Sequence, residues 1–280
     1  MQRRCRARTL PAAWHREVLL EFSVATAAIG LFVGFFVGLT GVGGGVILAP
    51  VLVFMGVQPT VAVGTDLVYG TLTKLVATVR NVAARRVDWS WTWALALGSV
   101  PGGLIGSFLI QHLRDHHGGQ ADAIVKSALG VVLVLAAGLN LWTELSPYRR
   151  KNPGPLADWT PVGGAARTKV GLAGLVVGIM VGLTSVGSGS LVAMLLLAAS
   201  RLDARRLIGT DIAHAMLLVA AASLAHLSIG TVDMGLALNL LAGSIPGVLV
   251  GTRLAGITPT RPLKLVVTGL VLVAGVKMLA

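Results

Sequence analysis

The chain has 280 residues, of which 55% are hydrophobic and 12% charged, with a mean hydropathy of +0.82 and a net charge of +12. A water-soluble domain of this length needs far more polar surface, so soluble enzymes and soluble binding modules are excluded and a polytopic membrane protein remains. The positive charge does not signal a nucleic-acid partner: it lies at the ends of apolar runs, without an aromatic-interleaved basic patch, as orientation by the positive-inside rule requires.

Residues 1–16 form a basic tail carrying Arg3, Arg4, Arg6, Arg8 and Arg16. The apolar run that follows, 17–40, is interrupted by Glu17 and Glu21, which suits an uncleaved membrane segment better than a signal peptide. It ends in Gly38-Leu39-Thr40-Gly41-Val42-Gly43-Gly44-Gly45, which leads into a short apolar piece, 42–56. A third segment, 59–82, carries Gly64-Thr65-Asp66 and Lys74 and ends at Arg80 and Asn81, which read as interfacial. After Arg85, Arg86 and Val87-Asp88 comes a fourth segment, 89–112, with Trp89, Trp91 and Trp93 near its start and Gly98-Ser99-Val100-Pro101-Gly102 inside it. Asp88 reads as an N-cap and the tryptophans as an aromatic belt. His112-Leu113-Arg114-Asp115-His116-His117 then reads as a solvated loop, since its zinc-like spacing has no partner cluster elsewhere. The single Cys5 leaves no intrachain disulfide and no cysteine metal cluster, and no cofactor or metal is implied. A fifth segment, 121–144, closes the half.

The stretch 145–167, with Pro147, Pro153, Pro155, Pro161 and several charges, is a cytoplasmic linker between a first transmembrane repeat (17–144) and a second (168–280). The second repeats the first. The glycine run returns as Gly182-Leu183-Thr184-Ser185-Val186-Gly187-Ser188-Gly189, and Gly64-Thr65-Asp66 as Gly209-Thr210-Asp211. Val87-Asp88 returns as Val232-Asp233, the Gly98–Gly102 cluster as Gly243-Ser244-Ile245-Pro246-Gly247, and Gly106 as Gly251. Its five pieces lie near 168–184, 186–200, 204–228, 232–255 and 260–280. The fold class is thus an all-α polytopic membrane protein with eight to ten membrane segments in two homologous halves. The basic loops near 80–86, 149–169, 201–206 and 253–264 are all cytoplasmic if the halves are inverted, although the arginine-rich N-terminus pulls the other way.

Most pieces have the roughly 20 residues that cross about 30 Å of hydrocarbon, but the second of each half, at about 15 residues, reaches only about 22 Å. Each short piece follows a glycine run, so each begins as a half-helix inside the membrane. Pro101 and Pro246 should kink or unwind their helices as well. Amide groups freed at a half-helix N-terminus suit an anion. Glycines 41, 43, 44 and 45 (Gly41, Gly43, Gly44, Gly45) with Gly187 and Gly189 admit an oxyanion to the backbone, while Thr40, Thr184, Ser185, Ser188 and Ser190 add hydroxyls. Close helix packing by small residues is the competing explanation.

Asp66 and Asp211 lie inside apolar segments, where an unpaired charge is expensive. They serve either proton coupling or helix capping, with Thr65 and Thr210 beside them as substrate contacts or caps. Lys74, whose matching position is Val219, either attracts an anion or snorkels toward Arg80. His214, at the position of Tyr69, either relays protons or packs with a hydrogen bond.

In this order and duplication, the glycine run at 38–45 with Pro50, Ala62-Val63-Gly64-Thr65, Val87-Asp88 and the Gly98–Gly106 cluster resemble the sulfite exporter TauE/SafE family, also called the toluene sulfonate uptake permease family. The resemblance covers nearly all of the chain from about residue 28, the linker excepted. It implies a multi-pass secondary transporter of the bacterial cytoplasmic (inner) membrane whose partners are the lipid bilayer and a small sulfur-containing anion such as sulfite, sulfoacetate or another organosulfonate. Proton coupling is one expectation for it. Serines at 185, 188 and 190, where the first copy has glycine or another residue, bear on the choice of anion. The rival expectation is a cation or metal-ion carrier using Asp66 and Asp211; a more distant one is an intramembrane metalloenzyme built on His214, His226 and the 112–117 histidines.

Overall fold

A computed structural model of the chain describes residues 23–40, 44–145, 164–200, 202–254 and 260–280; the basic tail and most of the linker lie outside them. The described residues form ten helices and no strand: α1 (Val24–Thr40), α2 (Gly44–Phe54), α3 (Pro59–Ala83), α4 (Trp89–His117), α5 (Gln120–Leu145), α6 (Gly164–Thr184), α7 (Ser190–Ala199), α8 (Ala204–Ser228), α9 (Met234–Leu254) and α10 (Thr260–Leu279). Their ends follow local chemistry. Pro59 opens α3, where a missing N–H costs nothing. The Asp88 carboxylate accepts from the Ser90 and Trp91 amides at the start of α4, and Asp203 accepts from Arg206 at the start of α8. Gly118 and Gly230, both at positive φ, follow the ends of α4 and α8.

Five helices are long and apolar enough to cross a membrane: α4, α5, α8, α9 and α10. The α1 and α2 helices are apolar but shorter, as is the apolar stretch Thr168–Thr184 of α6. The α3 helix, at 25 residues, has the length but carries Asp66, Lys74 and Arg80. The protein is a multi-pass membrane protein, and large apolar side chains such as Phe32, Leu97, Val131, Trp142 and Leu270 point outward as a lipid-facing surface demands.

Three corrections to the sequence-based segments follow. The short pieces are shorter than expected, with 11 residues in α2 and 10 in α7. Neither Pro101 nor Pro246 unwinds its helix; α4 and α9 run through them. The α4 helix also continues to His117, so the 112–117 histidines form its exposed last turns rather than a loop.

Glycine sets the packing. Gly30, Gly34 and Gly38 of α1 lie against Leu240, Ser244 and Val248 of α9, so these two helices run parallel with their backbones touching. Gly98, Gly102 and Gly106 of α4 meet Gly171, Leu175 and Ile179 of α6 in the same way. A Cβ at any of these glycines would strike a backbone carbonyl. Such approach is how helices gain van der Waals contact in lipid, where no hydrophobic force drives them together. The two seams are reciprocal, first helix of one half with fourth of the other. By contrast α3 and α8 run antiparallel, as do α5 and α10: Gly64 lies near Thr231 and Thr78 near Ile212, while Gly130 meets Leu279 and Val134 meets Gly275.

Candidate functional site

The α6 helix stops at Thr184 and α7 begins at Ser190. Between them Ser185 has φ 61° and Gly187 φ 106°, both in the left-handed region. Gly187 adopts this freely; for Ser185 it costs on the order of 1 kcal/mol and needs support from its surroundings. The Thr184 hydroxyl donates to Met180 O at 2.7 Å and accepts from the Val186 amide at 3.3 Å, which closes the end of α6. Ser185 and Ser188 are 3% and 4% exposed, so the break is internal.

The matching glycine run of the first half is Gly38–Gly45 in the sequence. Gly41 and Gly43 lie outside the described residues, as do the side chains of Thr40 and Ser190. The start of α2, however, is placed against the second break. A Cβ at Gly45 would lie 2.6 Å from Ser185 O and 2.8 Å from Asp66 Oδ2, and one at Gly44 would meet the Tyr69 ring at 3.3 Å. Gly45 therefore admits a close approach that any side chain would block.

The charged residues of the long middle helices converge here. The Ser185 hydroxyl donates to Asp66 Oδ2 at 2.6 Å, and Lys74 Nζ donates to Ser188 Oγ at 3.2 Å. Lys74 also lies close enough to both Asp66 and Asp211 to interact with them electrostatically. Asp66 Oδ1 and Asp211 Oδ1 are buried without a hydrogen-bond partner among the described residues. Of the two expectations for Lys74, the structure places it at the centre rather than snorkelling toward Arg80. A lysine, two carboxylates and two serine hydroxyls in one buried locus can bind an ion and move a proton.

Thr65 and Thr210 sit elsewhere. Thr65 Oγ1 accepts from the Asp233 amide at 3.0 Å, and Thr210 Oγ1 from the Asp88 amide at 2.9 Å, each across to the other half. Gly64 and Gly209 allow this, for a Cβ there would strike Thr231 O and Arg86 O. The Gly-Thr pairs thus pin α3 and α8 to the loops that start α9 and α4. The Asp233 carboxylate caps α9 through Leu236 N at 2.9 Å, as Asp88 caps α4. Trp89 and Trp93 stack at the surface, whereas Trp91 is buried and leaves the expected belt.

His214 packs with a hydrogen bond: its Nε2 lies 2.7 Å from Ser99 Oγ, and its Nδ1 has no partner among the described residues. Tyr69, at the matching position, hydrogen-bonds Ser244, the match of Ser99. Sequence reasoning missed this role for Ser99 and Ser244, although both lie in the duplicated cluster. It named His226 only for the metal alternative and missed its packing role: wholly buried, it donates from Nε2 to Gly182 O at 3.0 Å and holds Thr231 Oγ1 at 2.8 Å from Nδ1. His112 and His116 pack ring to ring at the end of α4, but among the described residues there is no group of three metal-ligating side chains.

A family model described as sulfite exporter TauE/SafE matches residues 26–278. The chain is 40% identical over 262 residues to "Probable membrane transporter protein YjnA" of Bacillus subtilis, covering 92% of this chain and all of that one. It is 24% identical to "Probable membrane transporter protein YunE" of the same organism, over 91% of this chain and 97% of the relative. A third relative, "Probable membrane transporter protein MJ0441" of Methanocaldococcus jannaschii, is 27% identical over 39% of this chain and 41% of its own. No solved structure matches.

Proposed function

The chain belongs to the TauE/SafE sulfite exporter family of membrane transporters, and from that premise we propose that it is a secondary transporter for a small sulfur-containing anion, such as sulfite, sulfoacetate or another organosulfonate. It would work in the cytoplasmic membrane by alternating access about the buried centre between α2, α3, α7 and α8.

The observation that carries this reading is the non-helical 185–189 segment with Lys74 hydrogen-bonded to Ser188 inside it. A lysine ammonium and a serine hydroxyl beside the N-terminus of α7 supply donors of the kind an oxyanion requires. The antiparallel pairing of α3 with α8 and of α5 with α10 supports an inverted repeat with this centre near its two-fold axis. The rival reading, a cation carrier on Asp66 and Asp211, is disfavoured because the Lys74 amine, hydrogen-bonded to Ser188, shares their buried locus and would compete with a bound cation.

Protein reconstituted in vesicles should take up labelled sulfite or sulfonate, and Lys74→Met should lower that flux at least tenfold with thermal stability retained. Uptake of a metal cation that sulfur oxyanions do not compete away, or flux unchanged by Lys74→Met, would overturn the proposal.

A further inference from the structure

Asp66 and Asp211 occupy matching positions in the two halves, yet their surroundings differ. Asp66 accepts the Ser185 hydroxyl at 2.6 Å, and Ser185 is the one non-glycine residue of its break with a positive φ. The residue matching Ser185 in the first half is Gly41, which has no side chain to offer Asp211. The Oδ1 atoms of both carboxylates are buried without a hydrogen-bond partner among the described residues, so the difference lies in the serine on Asp66 Oδ2. The charge beside the pair is one-sided as well, since Lys74 has Val219 as its match. Lys74 interacts electrostatically with both carboxylates, but one of them is already committed to a serine.

We propose that these matching carboxylates do different work. Asp66 is a positioning residue, holding Ser185 and with it the bent backbone of the break. Asp211 is the proton carrier, losing the electrostatic support of Lys74 and taking a proton when the anion claims that lysine. The inference rests on the anion reading above and adds the identity and number of the coupling site. The step balances: an anion binds against the Lys74 ammonium, a proton from the open aqueous side forms a bond to the Asp211 carboxylate, and both leave on the other side. About one proton then travels with each anion.

The groups facing Asp211 fit such a role. Across α3 lie Lys74 and, beyond it, Asp66, with the Tyr69 hydroxyl committed to Ser244. On its own helix His214 is turned to Ser99 of α4. The charged and titratable residues of α4 and the cap before it are Asp88, Arg114, Asp115 and the 112–117 histidines, all at its ends, and α7 has none. Asp211 would therefore be the acceptor left free when Lys74 turns to the anion. Anion affinity should rise as pH falls, by about tenfold per unit while Asp211 is ionised in the empty protein, because binding takes up one proton.

The test uses purified full-length protein in weakly buffered detergent with a pH-indicator dye. The probes are thiosulfate, sulfate and methanesulfonate, none of which titrates near neutral pH. Wild type should take up about one proton per bound anion. Asp211→Asn should abolish the uptake and flatten the pH dependence of affinity. Asp66→Asn should weaken binding at every pH with the uptake per bound anion retained, and Ser185→Ala should weaken it no further in the Asp66→Asn background. Thermal unfolding of each variant verifies that it is folded. If Asp66→Asn abolishes the uptake and Asp211→Asn keeps it, the assignment is wrong. If wild type binds an anion without taking up protons, the inference falls and the anion reading stands. If none of the three probes, nor sulfite, binds wild type, the anion reading falls and takes the inference with it.

Discussion

Glycine builds both the α4–α6 seam and the 185–189 break, and it does opposite things in them. In the seam Gly98, Gly102 and Gly106 have ordinary helical backbone, and what matters is the missing side chain, which lets carbonyls of α6 approach. In the break Gly187 matters for its φ of 106°, and the missing side chain opens a turn rather than closing a contact. One residue type thus holds α4 against α6 and, past the end of α6, turns the chain out of helical geometry. A substitution should tell these uses apart.

The largest effect belongs to the seam. Gly102→Val forces a branched side chain against Leu175 O in a contact with no room to relax, and overpacking of this kind costs up to about 3 kcal/mol, occasionally more. The unfolding midpoint in detergent should drop sharply. Gly138→Ala is the control, since a Cβ at Gly138 meets nothing within 4 Å and alanine gains up to about 1 kcal/mol of helix propensity. Equal midpoints for the two variants would show that the α4–α6 seam is not the tight contact described.

That contrast explains what the sequence could convey. The all-helical membrane fold, the short second helix of each half and the second break were legible, because hydropathy and the duplicated glycine run carry them directly. The role of Gly98–Gly106 was not, because a glycine that serves close packing and one that serves a bend look alike as letters. Pro101 misled for a related reason: proline between glycines suggests an unwound helix, but the α4–α6 packing keeps α4 continuous. Thr65 and Thr210 sat in a legible motif, but their hydrogen-bond partners did not show, since the amides of Asp233 and Asp88 are far along the chain in the other half. The α3 helix gives the weakest membrane signal of the long helices because it carries Asp66 and Lys74, the residues that make the centre.

Within the break, the next effect is at Ser185, where conformation and hydrogen bond are separable. Ser185→Gly keeps the left-handed backbone at no strain and removes only the donor to Asp66. Ser185→Ala removes the donor and keeps the strain. Leaving the buried Asp66 carboxylate without its donor costs about 1–3 kcal/mol, so both should lower stability, with glycine recovering part of the loss, about 1 kcal/mol. Thermal unfolding of the two variants side by side measures the strain alone. An alanine variant as stable as the glycine variant would mean that Ser185 bears no strain.

The smallest effect tests the reciprocal clamps. Thr65→Val and Thr210→Val each remove one hydroxyl acceptor from a buried amide, that of Asp233 or Asp88, at nearly constant side-chain volume. Each should cost about 1 kcal/mol. Because the two contacts lie at matching positions and share no residue, the double variant should cost about the sum, within roughly 0.5 kcal/mol. The same pair separates a clamp from a substrate contact: if the hydroxyls serve only to pin α3 and α8, anion affinity per folded molecule stays at the wild-type level in both variants. A fall in affinity without a fall in stability would return these threonines to the binding centre, and would mean that the Gly-Thr-Asp motif works as one unit rather than as a clamp with a charged group beside it.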